Sequence, residues 1–568
     1  MSMDKKTGVL NICAFVTAVV ICMIAAVVCC CNKQGMHEDE FYSYYSSNRT
    51  AGFYADGAVS REAVLDELRV LPGQGFNFPL VKEVQSWDVH PPIYYFLLHL
   101  VCSLTPGRFS MWQGLTINLV CLLIALLLMK RLGDRLIPKS PIVVDIVCLA
   151  WGISAATLTG VVFIRMYMLL TVWILAVTLL HVSPAVREKA NDPDITEASG
   201  GDVRMQGWFW PVLGVLTFLG FMTHYYFFIW LFFLAAVWNI REIIRTKSVR
   251  TTLLYGATIV VTFGLSYLFY PAFPAQMFRG QRGAQATGNF FDIGNTGERI
   301  AFFADKIDRI GFGGLLWIVV GLAVIACIMN ADRLYGFRPK IRWSRVYDQR
   351  SGAYSAIRYE EADDAVKELM VRKFPSRSRS FSDIKVMIAA ILGYFLAVSK
   401  TALMLGDSSI RYVMPVLGIL YLCLAAGCLK GFSGIAQSMT HDESRGAHLG
   451  AIVTVTVIGV IAIVNSVSDL HGNISFLYPE KSEQIAMLSE YPDAGVTCVY
   501  PSGQSWIVWA DMTELMTFDE VTYISEDECP DLADLEGIIF LDKGITVPTE
   551  AKLTPLYSSE YFGVYASK

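Results

Sequence analysis

The sequence predicts an α-helical polytopic membrane protein of about 11 spans, each needing ~20 apolar residues, followed by a small α/β domain outside the membrane. Three observations predict it. Apolar residues make up 54% of the chain and charged residues only 17%, with a positive mean hydropathy, which soluble domains do not show. Apolar runs recur along residues 1–467, and the basic residues gather in alternate connections between them. The final hundred residues change character, to short apolar strings separated by polar turns.

The first run, 9–31, follows Lys5 and Lys6. It is longer than a signal-peptide core and no small-residue cleavage site follows, so it reads as an uncleaved signal anchor. Further segments suited to spanning lie near 112–130, 141–160, 166–183, 208–223, 225–240, 252–272, 311–330, 384–404, 411–429 and 449–467. Lys130, Arg131, Arg135 and Lys139, Arg187 and Lys189, Arg241 to Arg250, and the charged insert 331–383 are expected on the cytoplasmic side. With a cytoplasmic N-terminus, alternation satisfies every one of these loops. It leaves 32–111, 161–165, 224, 273–310, 405–410 and 468–568 on the outer face of the cell membrane. The stretch 91–104 is the exception, too short at ~14 residues and interrupted by His99, and it reads as an interfacial helix. The insert 331–383 has little apolar periodicity and is expected on the membrane surface or disordered.

The tail divides accordingly: 1–467 forms the membrane domain and 468–568 the outer α/β domain. Strands are expected at Thr497–Tyr500, Val521–Ile524, Gly537–Leu541 and Tyr561–Tyr565, with helical stretches at 480–490 and 505–516. No glycine-rich phosphate loop occurs in the tail. Most of the thirteen cysteines lie in apolar runs, where a thiol acts as a small hydrophobe. Only Cys498 and Cys529 fall in the tail, where a disulfide is permitted but not demanded. Zinc-ligand spacing is absent, and the net charge of −5 selects no partner; nucleic acid is not expected among them.

Several polar strings fall at the outer face. Glu38-Asp39-Glu40 follows the first span. Such acids either serve a solvated helix start, where they meet the positive dipole end, or supply a base for an acceptor hydroxyl. His90-Pro91-Pro92-Ile93-Tyr94-Tyr95 holds a histidine at a helix entrance, next to amide donors able to face an anion; interfacial tyrosines at a helix start are the plainer reading. Arg165, in Phe163-Ile164-Arg165-Met166-Tyr167, interrupts an apolar hairpin. Its insertion cost, ~2.5–3.5 kcal/mol at mid-depth, favours a permanent anionic partner such as a phosphate over snorkelling. His224 in Thr223-His224-Tyr225-Tyr226 reads first as a packing histidine among aromatics. Arg411, in Gly406-Asp407-Ser408-Ser409-Ile410-Arg411-Tyr412, serves equally as a phosphate or sugar contact or as a partner of Asp407. Asn48-Arg49-Thr50 and Asn473-Ile474-Ser475 fit the glycosylation sequon.

Taken in order, Asp39-Glu40, His90-Pro91-Pro92-Ile93-Tyr94-Tyr95, Arg165-Met166-Tyr167, Thr223-His224-Tyr225 and Arg411-Tyr412 with Pro415 resemble the motifs of the GT-C fold membrane glycosyltransferases. The likeness is to the protein O-mannosyltransferase and aminoarabinose-transferase branch and covers residues 9–430. It implies a polyprenyl-phosphate-linked sugar donor entering from the bilayer and an envelope glycan, lipid or protein acceptor arriving from outside. It implies an inverting single displacement, with Asp39 as general base and Glu40 supporting the fold or the acceptor. Arg165 and His90 would hold the departing phosphate, and Tyr167, His224, Tyr225 and Arg411 would line the substrate site. The chain departs from the pattern in three places. His90 stands where some lipid A transferases carry lysine, no Asp-x-Asp occurs in the first outer loop, and no inserted β-trefoil is visible. A metal cofactor is therefore not expected, although Glu38-x-Glu40 is a loose substitute for the acidic pair, and an envelope glycan or lipid acceptor is favoured over a protein. The rival expectations are a transporter or flippase of polyprenyl-linked intermediates, which needs cations but no base, and a non-catalytic component of envelope assembly.

Overall fold

The computed structural model describes residues 3–182, 207–330, 343–348, 353–358, 379–546 and 552–567. Helix α1 (Met3–Cys31) leaves Ile12, Val16, Val20 and Ile24 exposed while burying Cys22, Ala26 and Cys30, one residue per turn. An apolar face turned outward is what a lipid-facing helix presents, and the small buried stripe permits close approach. At Gly152 a Cβ would stand 2.5 Å from the Cys22 sulfur.

Among the described residues, seven helices are long and apolar enough to cross a membrane, and two bent pairs raise the number to nine. The pairs are Pro141–Gly152 with Ala155–Val162, bent by 56°, and Thr296–Gly311 with Leu316–Met329, bent by 92°. Ser154 caps the second half of the first pair by accepting from Thr157 N–H, so a serine in mid-run starts a new helix. Tyr167–His181 and Phe209–Phe221 are apolar but shorter than a full span. Together with them the expected eleven segments are all helical. The helix Ile93–Ser103, at 11 residues, is too short to cross ~30 Å of hydrocarbon. His99 ties it to its neighbours, its Nε2 accepting from Asn77 N–H at 2.9 Å and its Nδ1 lying 3.1 Å from Asn48 Oδ1.

The last two long helices, Met414–Thr440 and Glu443–Leu470, form a tight hairpin. A Cβ at Gly450 would meet Ser433 N at 2.5 Å and Cα at 2.6 Å. Gly450→Val is accordingly expected to force the helices apart and destabilise by about 1–3 kcal/mol, read as a lower midpoint in thermal denaturation in detergent.

Beyond the long apolar helices the chain forms a six-stranded sheet in the order β1-β5-β4-β6-β8-β7. Its strands are β1 (Gly57–Ser60), β4 (Val496–Tyr500), β5 (Glu520–Ser525), β6 (Ile538–Asp542), β7 (Leu553–Ser558) and β8 (Phe562–Ser567). β4 runs parallel to β5 and β6, and the other pairings are antiparallel. The four expected strands are present, as are helices at Glu480–Leu488 and 505–515. β7 is additional, and β1 comes from the first outer loop, pairing Gly57 with Tyr523 and Ser60 with Glu520. The sheet therefore does not begin at residue 468. Trp509 joins the two regions, with Phe41, Tyr42, Tyr45 and Phe53 around it at ring distances of 5.0–5.9 Å. Cys498 and Cys529 are both free thiols.

Of the insert 331–383, a hairpin of β2 (Trp343–Asp348) and β3 (Ala353–Arg358) and the start of the helix Arg379–Thr401 are described. The expectation for the rest of the insert falls outside the described residues, as do Arg187 and Lys189.

Candidate active site

The acidic string opens helix α2 (Glu38–Asn48). His37 is its N-cap, Nδ1 accepting from Asp39 N–H at 3.0 Å, while Glu40 reaches back to accept from His37 N–H at 2.8 Å. This reciprocal cap turns three consecutive acids in three directions.

Glu40 faces inward and is fully buried. One carboxylate oxygen takes Ile164 N–H at 2.7 Å, and the other takes Lys33 Nζ at 2.9 Å together with His37 N–H. Lys33 itself donates to Phe476 O at 2.6 Å. Every donor around Glu40 is thus part of the fold, joining the end of α1, the start of α2, the 163–166 loop and the 471–479 loop. No solvent reaches it for proton exchange.

Asp39 faces the cavity side, with 31% of its side chain exposed. Arg165 Nη2 lies 3.4 Å from one carboxylate oxygen and Arg411 Nη1 3.6 Å from the other. Arg165 is fixed from behind, donating through Nη1 to Asp39 O at 3.1 Å, Ser43 Oγ at 3.3 Å and Tyr95 OH at 3.1 Å. Arg411 is packed against the rings of Phe163, Tyr412 and Phe476, with its centre 5.1, 5.2 and 5.8 Å from theirs. Both arginines are at least nine-tenths buried, yet among the described residues Arg165 Nε and Arg411 Nε and Nη1 have no hydrogen-bond partner. Asp407, the alternative partner for Arg411, is taken by Lys306 at 2.9 Å and by Arg309.

Electrostatics separates the acids further. Burial alone would raise the Asp39 carboxyl, but Arg165 and then Arg411 outweigh it and hold it well below the usual carboxylate range. Glu38 is less relieved: burial, then the neighbouring Asp39, lifts it to about 7 against a smaller lowering by Arg411. Burial pushes His37 down to about 3, Arg411 and Arg165 adding to the effect, so the imidazole is neutral and its Nδ1 is free to accept.

His90 and His224 complete the wall, their rings 5.6 Å apart. Tyr167 lies tilted at 5.5 Å from His224 and meets Tyr412 edge-on at 5.9 Å. His224 Nδ1 accepts from Tyr226 N–H at 3.0 Å, a packing role of the kind its sequence suggests, although its ring still borders the site. Burial, followed by Arg165 and His224, pushes His90 well below its ordinary value, so it meets the site as a neutral imidazole rather than a cation. The structure therefore brings together Asp39, Arg165, Arg411, His90, His224 and Tyr167. Tyr225 stands apart: its hydroxyl donates to Gln276 Oε1 at 2.5 Å, and Gln276 in turn donates to Gln85 O and Asp88 O.

Two participants went unassigned in the sequence. Lys33 gives Glu40 its structural role, and its only sequence signal is a lysine two residues beyond the apolar run. Asp88, in the same string as His90, shares Tyr95 with Arg165 by a hydrogen bond of its own. Among the described residues, no group of three His, Cys, Asp or Glu side chains is arranged to hold a metal ion.

What these features define is a polytopic membrane protein with one partly exposed carboxylate held between two buried arginines. No protein-family model matches the chain, and neither does any curated protein. Among solved structures it is similar to ArnT from Cupriavidus metallidurans bound to undecaprenyl phosphate, at 12% identity over 97% of each chain and a TM-score of 0.47. It is also similar to the archaeal oligosaccharyltransferase AglB from Archaeoglobus fulgidus, in complex with an inhibitory peptide and a dolichol-phosphate. There the identity is 12% over 95% of this chain and 70% of the other, with a TM-score of 0.43.

Proposed function

We propose that the protein is an inverting glycosyltransferase that moves a hexose or pentose from a polyprenyl-phosphate carrier to an envelope glycan or lipid at the outer membrane face. The observation that carries this reading is the set of unsatisfied N–H groups on Arg165 and Arg411. Buried guanidinium donors are costly to leave unpaired, and planar forks match a phosphate. The donor's phosphate supplies the missing acceptors. Its arrival also competes with Asp39, whose contacts to the arginines are ion pairs at 3.4 and 3.6 Å rather than hydrogen bonds. Asp39 is then released toward the acceptor. As the acceptor oxygen bonds to the anomeric carbon, its proton passes to Asp39. The bond from that carbon to the phosphate oxygen breaks on the opposite side. The polyprenyl phosphate departs with its added charge held by the two arginines, whose positions are set beforehand by Tyr95, Ser43 and the aromatic rings. The motif order shared with the GT-C enzymes that the sequence resembles supports the same assignment.

Mass spectrometry of envelope glycans and lipids tests it in three strains: wild type, gene deletion, and Asp39→Asn at equal protein level. Loss of one sugar from a surface glycan in both altered strains, with its polyprenyl-phosphate form accumulating, is the expected result. An Asp39→Asn strain that matches wild type while the deletion loses the sugar favours transport of the intermediate instead.

The pH dependence gives a second check. With Arg411 in place, the Asp39 carboxyl stays ionised through and below the ordinary carboxylate range, near pH ~4. In Arg411→Gln one depressing charge is gone, so Asp39 protonates at higher pH. The acid limb of the kcat/KM profile, which reports the free enzyme, is expected to move upward. A limb unmoved by this substitution argues that Asp39 is not the group being titrated.

A further inference from the structure

A cavity opens beside His37 and Glu38, next to Asp39. It measures about 200 Å³ and lies between the start of α2, the helix Glu480–Leu488 and the edge of the outer sheet. His37 and Glu38 form one wall, Tyr478 and Glu480 a second, and Ser558, Ser559 and Glu560 a third. The wall it shares with the site is thin. His37 Nδ1 is 3.2 Å from Glu38 Oε2 and 3.9 Å from Asp39 Oδ2.

The charge inside is one-sided. Lys481 is spent on Glu514, 2.6 Å from both carboxylate oxygens, and on Asp511 at 3.5 Å. His37 is neutral. Among the described residues Glu38, Glu480 and Glu560 have no lysine or arginine within ion-pair distance. Glu38 is held in this state although only 17% of its side chain is exposed. An arriving cation would relieve that desolvation, whereas a phosphate would face carboxylates on every wall. The volume falls below the ~300–1,000 Å³ of sites for drug-sized ligands, so it admits one ring-sized group and no chain.

We infer that this cavity is the acceptor subsite, that it takes an amine-bearing sugar-like group presenting its hydroxyl past His37 to Asp39, and that it rejects phosphorylated groups. The inference rests on the transferase reading above, and it narrows the acceptor by charge. The Tyr478 ring already faces the Lys33 and Lys481 ammonium groups, at 5.5 and 5.8 Å, so the hydroxyl and carboxylate edges of the other walls are what a hydroxylated cation would meet.

Saturation-transfer NMR on the full-length protein in nanodiscs tests it with two soluble probes, glucosamine and glucosamine 6-phosphate. Polyprenyl phosphate binding serves as the separate control for the donor side. Wild type is expected to bind glucosamine and to ignore its 6-phosphate. Glu38→Gln and Glu560→Gln should each weaken glucosamine by about tenfold while keeping polyprenyl phosphate. Glu560→Lys should admit the 6-phosphate. Ser558→Arg, at an exposed position on the cavity mouth, should block glucosamine without touching the core. The inference is overturned if wild type fails to bind glucosamine, if it binds the 6-phosphate as well, or if all four cavity variants bind like wild type. A wild-type protein that binds glucosamine but not polyprenyl phosphate overturns the donor reading instead.

Discussion

Asp39→Asn is expected to abolish sugar transfer, by about 10²–10⁴-fold, the usual contribution of a positioned base. The same substitution should leave polyprenyl phosphate binding intact or tighter. The asparagine no longer presents an anion to Arg165 and Arg411, so the donor phosphate loses its only carboxylate competitor between them. This pairing of lost turnover with retained or improved donor affinity separates a base from a structural acid, whose removal would lower both. Single-turnover transfer and equilibrium binding of polyprenyl phosphate, measured on one preparation, decide between them. Equal loss of both would move Asp39 out of the chemistry.

Glu40→Gln carries the second large effect, on stability. It leaves the Lys33 ammonium buried without its counter-ion, at 0% side-chain exposure for both partners. Breaking a buried pair from one side costs about 3–5 kcal/mol. Lys33→Met alone strands Glu40 in the same way. The double variant Lys33→Met with Glu40→Gln removes both charges and is expected to recover most of the loss, although His37 N–H and Ile164 N–H still need the Gln oxygen. Thermal denaturation of the four proteins in detergent gives the coupling directly. Additive losses would show that the pair is not the link between α1 and α2 that the geometry describes.

These two neighbours show where sequence reading stops. Both Asp39 and Glu40 were visible as acids beyond the first span, and nothing local distinguishes a base from a strut. The distinction comes from Lys33 and from Ile164, the latter 124 residues away, and depends on which way the capped first turn of α2 points. Arg165 was legible because a guanidinium in an apolar run needs a reason. Arg411 was legible only as an alternative, since choosing between Asp407 and Asp39 requires knowing that Lys306 and Arg309 already occupy Asp407. Tyr225 sits in the right string and turns the other way, because consecutive residues at the head of a helix point about 100° apart. In the tail, four strands announced themselves through apolar alternation. β1 did not, being four residues with no buried position, recruited to the sheet by a partner more than four hundred residues later.

That late partner sets a clock on biogenesis. The loop bearing Asp39 leaves the ribosome more than four hundred residues before the strand that β1 pairs with and the tryptophan that seats α2. At roughly 5–20 residues per second, on the order of half a minute to a minute and a half separates the two. Throughout that interval the nascent protein is threaded into the bilayer with its acidic turn unsupported. A chain cut short at any later codon before β5 is thus a membrane protein whose acidic turn lacks the strand pairing that anchors its loop.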